Sequence, residues 1–307
     1  MQLAWAVGEA GTIIATSDGR TWEAQRAPTE DDLLDVAACD PLHAWAVGLG
    51  GTIVATTDGG LTWHKQMAPL ACQLTAVTCA DSAHVWAGGH DALDRPLIIA
   101  SADGGASWRL QWRSDQGQGR VSALAGADER TVWAAVGSRV YSTGDGGDSW
   151  RASAPLGDCL VLELACGPAA GDCWAAGGGG PFWSDEIGRV WTTADGGETW
   201  TRKRLGPSSQ VNGLDVTKSG TVWISCGYRA VLVSNDGGET WMRHGAGIAA
   251  MSPNGIAFQD PVRGWLVGAT RGGAGVVYAT ENGGRRWRRH FDSEKELRAV
   301  ATAPAAQ

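Results

Sequence analysis

Short runs of apolar and β-branched residues, separated by Gly, Asp and Pro, recur along the whole chain. In residues 33–68 the runs read LLDVAAC, AWAVG, GTIVATT and TWHKQM, and each has the length and bounding residues of a strand. The pattern returns at intervals of about 40–50 residues, a period typical of propellers and solenoids. We therefore predict four antiparallel strands per unit, named A to D in chain order, which is the blade of a β-propeller.

Two series of tryptophans mark the units. One Trp opens strand B of each unit, as in WAVGEAGTIIAT and WAVGLGGTIVAT, and the series is Trp5, Trp45, Trp86, Trp133, Trp174, Trp223 and Trp265. A second Trp closes an eight-residue box between strands C and D, as in SNDGGETW, and the series is Trp22, Trp63, Trp108, Trp150, Trp200, Trp241 and Trp287. The chain has 17 Trp but only 3 Phe and 3 Tyr, so Trp has a repeated structural task.

The DGG segment of each box is predicted to form the hairpin turn between strands C and D. Glycine takes the positive φ that such a turn needs, and the Asp can accept hydrogen bonds from the backbone amides two and three residues on. The Trp is then expected to cover its own hairpin. We assign a structural role to the acidic position of every box, namely Asp18, Asp58, Asp103, Asp145, Asp195, Asp236 and Asn282.

The two ends of the chain are complementary. The first unit begins at strand B, whereas ELRAVATA at 296–303 resembles a strand A that no blade follows. Pairing them closes a ring and removes its open sheet edges. We predict an all-β protein with a single seven-bladed domain over 1–307, whose blades lie at 1–27 plus 296–303, 33–68, 73–112, 120–154, 160–205, 211–246 and 254–291.

The boxes fit the Asp-box, or bacterial neuraminidase repeat, Ser/Thr-x-Asp-x-Gly-x-Thr-Trp. Together with WAVG..GTI..T.DGG.TW, the units resemble the photosystem II assembly and stability factor family and its relatives in non-photosynthetic bacteria. The resemblance covers practically the whole chain and implies a propeller that binds other proteins and performs no chemistry. The first box is one residue short, and the last has Asn282 for Asp and Arg286 for Thr, so we expect the last turn to be the weakest.

Charge and hydropathy narrow the classes of partner. A formal net charge of −8 and a pI near 5.2 argue against a general nucleic-acid binder. No run of eighteen apolar residues is present, so no membrane span is predicted. The first residues lack the features of a secretory signal, so the protein is either cytosolic or its leader has been removed. We expect a monomer with no cofactor and no metal.

The spacing from the strand B Trp to the box Asp is longest in the third, fifth and seventh units. This predicts longer B–C loops there, on the face opposite the boxes, where repeat folds place binding sites. In the fifth unit an aromatic pair beside carboxylates suits a sugar ring or a protein partner, or else caps the channel mouth. The candidates on this face are Phe182, Trp183, Asp185, Glu186, His90, Asp91, Asp94, Arg95 and Arg271; for the third unit a solvated loop with internal ion pairs is the favoured interpretation.

A second candidate surface is basic. The segment RRWRRH at 285–290 places several arginines on the outermost strand of the last blade, and the two preceding blades have basic residues at equivalent strands. This basic belt consists of Arg202, Lys203, Arg204, Arg243, Arg285, Arg286, Arg288 and Arg289. It suits an acidic segment of a protein partner, although charged residues on outer strands also protect sheet edges from pairing.

The alternative function is carbohydrate-active, either a glycan-binding lectin or a glycoside hydrolase. Hydrolysis needs two carboxylates about 5–10 Å apart. Asp185 or Glu186 with Asp91 or Asp94 could supply them, and so could Asp35 and Glu163, which share one strand A position where other blades have Ala or Gly. A structural or channel-lining role is the favoured interpretation for that last pair.

Seven cysteines are present. Cys72 and Cys79 have the same spacing and the same place in their unit as Cys159 and Cys166. Each pair could form a disulfide, but buried thiols that fill space between sheets are the favoured interpretation. No cluster has the spacing of a zinc site.

Overall fold

Seven four-stranded antiparallel sheets surround a central channel. The computed structural model describes residues 3–115, 119–169, 171–178, 188–206, 210–227, 230–249 and 251–304. Within each sheet the order is strand A, B, C, D from the channel outwards. The predicted all-β seven-bladed propeller is therefore confirmed.

Every blade contributes one strand to each of four concentric positions. The A strands, in order of blades 1 to 7, are Leu297–Thr302, Leu33–Ala38, Cys72–Cys79, Val121–Gly126, Leu160–Cys166, Val211–Val216 and Met251–Phe258. The B strands are Ala4–Gly8, Ala44–Gly48, Val85–Asp91, Val132–Val136, Cys173–Gly178, Val222–Cys226 and Gly264–Thr270. The C strands are Ile13–Thr16, Ile53–Thr56, Pro96–Ser101, Arg139–Thr143, Gly188–Thr193, Ala230–Ser234 and Gly275–Thr280. The D strands are Glu23–Gln25, His64–Gln66, Arg109–Arg113, Arg151–Ala152, Thr201–Lys203, Met242–His244 and Arg288–Ser293. Two short 3₁₀ turns, Glu9–Gly11 and Leu49–Gly51, follow strand B in blades 1 and 2.

The C-terminal strand closes the ring. Leu297–Thr302 pairs antiparallel with Ala4–Gly8, with Trp5 opposite Ala301. Arg298 of this strand also bonds Glu9 across the joint at 2.9 Å. Because both edges of the joint are paired, the ring leaves no open inner sheet edge there.

The hydrophobic core lies between blades. Each of seven buried clusters contains the strand B Trp of one blade and packs against the box Trp of the next. Trp22, for example, meets Trp265 of blade 7 edge-to-face with ring centroids 6.3 Å apart, and Trp241 meets Trp174 in the same way at 6.4 Å. The box indole therefore packs against the preceding blade. Our expectation that it covers its own hairpin was incomplete, because the indole is buried between two blades.

A β-bulge interrupts strand A of every blade at one position. Where the bulged residue is Thr, Ser or Asn, its side chain donates to a carbonyl of the next A strand. Thr75 Oγ1 donates to the Val121 carbonyl at 2.5 Å, and Ser122 Oγ donates to the Val161 carbonyl at 2.7 Å. The bulge thus joins neighbouring blades around the channel, in addition to bending the strand.

Candidate protein-binding surface

The box turns are closed by their own side chains. In blade 2, Thr56 Oγ1 donates to Asp58 Oδ1 and accepts the Gly60 amide, while Asp58 accepts both the amide and the hydroxyl of Thr62. The hydroxyl and amide of Thr62 are the main causes that lower the pKa of Asp58 to about 2. The acceptor atoms of the box are therefore used within the turn, which supports a structural role.

The amide that the box Asp accepts lies four residues on, as Asp58 and Thr62 show, and not two and three as predicted. One residue, Leu61 in blade 2, stands between DGG and Thr62, so this loop is one residue longer than that of the first box. Only the short first box follows the predicted spacing, because Asp18 Oδ1 accepts the amides of Arg20 and Thr21.

The last box has fewer bonds than the others. Asn282 Oδ1 accepts the Thr280 hydroxyl and the Arg286 amide. Arg286 has no hydroxyl, so the second bond that Thr62 makes to Asp58 has no counterpart. The contact set agrees with the expectation that this turn is the weakest.

A bridging side chain that sequence analysis missed connects each early box to the blade before it. Gln66, the last residue of strand D in blade 2, donates to the Gly104 carbonyl at 3.0 Å and accepts the Trp108 indole N–H at 3.0 Å. In the same way, Gln25 of blade 1 donates to the Gly59 carbonyl and accepts the Trp63 indole N–H in the box of blade 2. The second box Gly suits this bridge, since Gly105 has a φ of +88° and a Cβ on it would lie 1.9 Å from Gln66 Oε1. The sequence does contain a signal for this bridge, because a Gln stands three residues after the box Trp in these blades.

The long B–C segments are mostly longer strands. In blade 3, strands B and C reach Asp91 and Pro96, which leaves only residues 92–95 as a loop; in blade 7 the loop is 271–274. The prediction of long loops was wrong for these two blades, because the added residues continue the hairpin ladder. Phe182, Trp183, Asp185 and Glu186 of blade 5 lie outside the described residues.

The blade 3 candidates form a compact ion-pair network. Asp91 is buried, with 5% of its surface exposed. It accepts Arg95 Nε at 2.9 Å and lies 3.8 Å from Arg113 Nη1. His90 Nδ1 lies 3.3 Å from Asp94 Oδ1. The arginine is the main cause that lowers the pKa of Asp91 to about 2. Asp91 is thus paired with Arg95 and Arg113 within its own blade, whereas Arg271 lies exposed on blade 7.

The basic belt is only partly brought together. Arg202, Arg243 and Arg289 occupy the same register position in strand D of blades 5, 6 and 7 and are exposed. Lys203 faces inward and pairs with Glu239 of the next box at 2.5 Å, so it belongs to the contact between blades. Arg204 is exposed beyond the end of strand D.

A basic groove lies where blade 7 meets blade 1. Its cavity of about 660 Å³ is lined by Arg286, Arg288, Arg289 and His290 of blade 7 and by Arg20 of blade 1, with Glu281, Asn282 and Ala279. Glu281 is engaged by Arg20 at 2.8 Å, and Arg289 pairs with Asp292. Arg286 and Arg288, like Arg285 outside the groove, form no ion pair within the described ranges. Sequence analysis missed Arg20, because only ring closure places it beside residues 281–290.

The central channel is acidic. A cavity of about 320 Å³ is lined by the A strands and includes Asp35, Glu163 and Asp215. Burial raises the pKa of Asp35 to about 7, against the hydrogen bonds that its carboxylate accepts from the amides of Val77 and Val36. Burial, and then the charge of Asp35, hold the pKa of Glu163 well above its usual value.

Asp35 and Glu163 occur in the two blades whose bulged residue is leucine, Leu34 and Leu162. Leucine cannot donate to the next A strand. In blade 2 the carboxylate of Asp35 replaces that link, because it accepts the Val77 amide of blade 3 at 2.8 Å. A structural role therefore accounts for Asp35.

The remaining chemistry is sparse. All seven cysteines are free thiols, so neither the Cys72–Cys79 nor the Cys159–Cys166 disulfide is formed. Across the described residues, no three His, Cys, Asp or Glu side chains are arranged to hold a metal ion. In the same part of the chain no helix has the length and apolar character needed to cross a membrane.

Comparisons with known proteins agree with this architecture. Residues 14–159 match the family model of the photosynthesis system II assembly factor YCF48. A structure of YCF48 bound to a D1 peptide is 19% identical, with a TM-score of 0.69 over 95% of this chain and 99% of that one. YCF48 from Cyanidioschyzon merolae is also 19% identical, with a TM-score of 0.66 over 92% of this chain and 98% of its own.

A GH74 xyloglucanase from Xanthomonas campestris shares the fold at 16% identity, with a TM-score of 0.69 over 98% of this chain. This chain spans about half of that enzyme, since 52% of the enzyme is covered. No curated protein matches the sequence. The resemblance inferred from the boxes is confirmed: this chain has the repeat of the photosynthesis system II assembly factor YCF48 family at residues 14–159 and the YCF48 propeller fold over nearly its whole length.

Proposed function

We propose that this protein is a non-catalytic scaffold that binds an acidic segment of a protein partner in the basic groove between blades 7 and 1. The observation that carries the proposal is the pair Arg286 and Arg288, which have no ion pair within the described part of the chain and line the same cavity. Both arginines are exposed and line one cavity on a chain of net charge −8. An anionic ligand would supply an opposite charge for them to pair with.

The geometry favours carboxylate groups on an extended chain. Guanidinium groups bind carboxylates through two parallel hydrogen bonds. The groove includes Arg288, Arg289 and His290 of strand D of blade 7, which is the outer edge of its sheet. In our proposal a peptide at this edge meets Arg288, Arg286 and Arg20, which line the same cavity. The YCF48 structure with a bound D1 peptide supports a peptide as the class of partner.

The boxes themselves are poor candidates for recognition. Asp58 and its counterparts accept hydrogen bonds from their own turn, and the box indoles are packed between blades. Recognition therefore falls to surfaces that vary from blade to blade.

The test compares two double charge reversals of equal size. Arg286→Glu/Arg288→Glu changes the groove, whereas Arg109→Glu/Arg130→Glu changes exposed arginines of blades 3 and 4. Binding of a D1 peptide and of an Asp/Glu-rich synthetic peptide is measured by calorimetry at low and high salt. We expect the groove variant to lose at least about tenfold in affinity and the control to lose little. Equal affinities of both variants, or equal binding of an uncharged peptide, would contradict the proposal.

A second candidate, carbohydrate binding or hydrolysis, is favoured by the shared fold with the xyloglucanase and by the neighbouring acids Asp35 and Glu163 in the channel. Incubation with xyloglucan, and a glycan-binding screen of the wild type against Trp183→Ala, test it. Sugar release that Glu163→Gln abolishes would replace the scaffold proposal with a hydrolase, while a glycan signal lost in Trp183→Ala would indicate a lectin. We expect neither.

A further inference from the structure

A contact that joins neighbouring blades elsewhere is missing where blade 7 meets blade 1. At four interfaces the residue three positions after a box Trp bonds the carbonyl of the first Gly in the next box. These pairs are Gln25 with Gly59, Gln66 with Gly104, Gln111 with Gly146 and His244 with Gly283. The residue at this position of blade 7 is His290. Its Nδ1 is buried and has no hydrogen-bond partner among the described residues, which is a costly state for a polar atom.

The first box lacks the residue that this contact needs. Each of the other six boxes has two Gly after its Asp or Asn, and the amide of the second Gly donates to the box hydroxyl, as Gly60 does to Thr56. In the first box the single Gly, Gly19, donates to Thr16 in the same way. Gly19 therefore occupies the place of the second Gly. The missing residue is the first Gly, whose carbonyl accepts the bond at the four other interfaces.

The surroundings of the box glycines show the same difference. At Gly60 an added Cβ would lie 2.0 Å from Oε1 of Gln25, the residue of the preceding blade that forms the contact. At Gly19 the nearest atom to such a Cβ belongs to the Trp265 ring, at 3.2 Å, and no atom of His290 lies within 4 Å of it. His290 thus stands away from the first box. It lines the basic groove instead, together with Arg20 of that box.

The backbone of strand D places His290 as it places a residue that does form the contact. Strand D of blade 7 has a β-bulge between Arg289 and Phe291, where His290 is the extra residue without a partner in strand C. Blade 3 has the same bulge at Gln111, and Gln111 donates to the Gly146 carbonyl of the next box at 2.7 Å. A bulge redirects the side chain of its extra residue. His290 therefore has the position of a bridging residue but lacks the carbonyl that it would bind.

We propose that the residue missing from the first box opens the basic groove, and that a carboxylate of the bound acidic segment replaces the missing carbonyl as the acceptor of the His290 ring N–H. This inference rests on the proposed function and adds His290 and the length of the first box to the determinants of binding. His244 shows that a ring at this position reaches an oxygen atom, at 3.0 Å. Because no hydrogen bond fixes Nδ1 of His290, its ring can turn toward the ligand. A hydrogen bond to a carboxylate is charge-assisted and strong.

Two matched variants test the role of His290. His290→Ala and Gln66→Ala remove the residue three positions after the box Trp in blades 7 and 2. Calorimetry measures binding of the Asp/Glu-rich synthetic peptide, and melting curves measure stability. We expect His290→Ala to lose about tenfold in affinity and to keep the Tm of the wild type, because its Nδ1 has no bond to lose in the free protein. Gln66→Ala should keep the affinity and lower the Tm by about 4 °C.

Lengthening the first box tests the other half of the inference. Insertion of one Gly between Gly19 and Arg20 gives TSDGGRTW, the sequence of a full box. The restored carbonyl should bind His290, so we expect the insertion to weaken peptide binding at least about tenfold. His290→Ala should then lower the Tm in the insertion background, although it has no such effect in the wild type. This dependence of one change on the other measures the restored contact.

The outcomes separate this inference from the proposed function. Equal affinities of the wild type and His290→Ala, with weaker binding by Arg286→Glu/Arg288→Glu, would overturn the inference alone. A wild type that binds neither peptide would overturn both. A lower Tm of His290→Ala in the wild-type background would show that the ring already joins the two blades and would also contradict the inference, as would a folded insertion variant with unchanged affinity.

Discussion

At the scale of single residues, the box shows how one turn is closed by three side-chain types with separate tasks. The hydroxyl of Thr56 organises the Gly60 amide, the carboxylate of Asp58 holds the end of the turn, and the hydroxyl of Thr62 occupies the second carboxylate oxygen. The last box lacks the third contact, because Arg286 stands in the place of Thr62. Box strength should therefore follow the number of these bonds.

Restoring the last box should stabilise the protein. Asn282→Asp/Arg286→Thr supplies both the carboxylate and the hydroxyl that the six other boxes use. We expect a gain of about 1 kcal/mol, because one charge-assisted hydrogen bond is added in an exposed turn. Thermal unfolding measures it, with Arg286→Thr as the control that adds the hydroxyl without the charge. A double variant no more stable than this control would show that the bond count does not determine turn strength.

At the scale of elements, the blade is not the unit that buries hydrophobic surface. The clusters lie between blades, and side chains at the end of strand D reach into the box of the following blade. His244 performs the same task in blade 6, where its Nδ1 lies 3.0 Å from the Gly283 carbonyl oxygen. The C–D turn therefore stabilises an interface as well as a hairpin.

Removing one bridge should cost more than an exposed substitution on the same strand. Gln66→Ala leaves the Trp108 indole N–H and the Gly104 carbonyl without their partner, so we expect a loss of about 2 kcal/mol in the free energy of unfolding. The adjacent Lys65→Ala, whose ion pair with Asp31 is long and exposed at 3.7 Å, should cost less than about 0.5 kcal/mol. Urea titrations of both variants measure the difference, and similar losses would show that the bridge contributes nothing specific.

At the scale of the whole molecule, ring closure creates the two features that no single blade has. It brings seven A strands together around one channel, which Asp35, Glu163 and Asp215 line, and it places Arg20 in one cavity with arginines of blade 7. Both features combine residues far apart in the chain. Burial raises the pKa of Asp215 to about 6 and that of Asp35 to about 7. At a pH between the unfolded and the folded pKa, these carboxyl groups keep a proton in the folded protein that they lose in the unfolded chain.

These raised pKa values make stability depend on pH. In the window above the unfolded pKa near 4.5 and below the raised folded pKa of Glu163, the folded state holds a proton that the unfolded state has lost, so stability falls as pH rises through the window. Glu163→Gln cannot ionise, so the folded variant never has to bury a charge at this position beside Asp35. We expect its Tm to match the wild type near pH 4 and exceed it by about 3 °C at pH 8.

Melting curves from pH 4 to pH 8 measure this effect. The Tm of the variant should still fall somewhat as the pH rises, since the raised pKa values of Asp35 and Asp215 act in the same direction. Parallel curves for the variant and the wild type would mean that Glu163 is ionised in the folded protein at neutral pH.

The sequence was sufficient for the fold and only partly sufficient for the surfaces. Seven boxes, seven strand B tryptophans and complementary ends predicted seven blades and their closure, because these signals are local and repeat. The prediction of long B–C loops in blades 3 and 7 was wrong. A count of the residues between Trp86 and Asp103 cannot tell a longer loop from longer strands.

The sequence by itself determined the architecture of this protein, because every turn needs its Gly and Asp and every interface needs its Trp within a few residues of the same place. Only the tertiary structure decided which side chains meet across blades, such as Gln66 with Trp108 and Arg20 with Glu281. Those contacts depend on the angle between successive blades and on closure of the ring. Neither is determined by a single repeat, because both depend on the packing of all seven blade interfaces together.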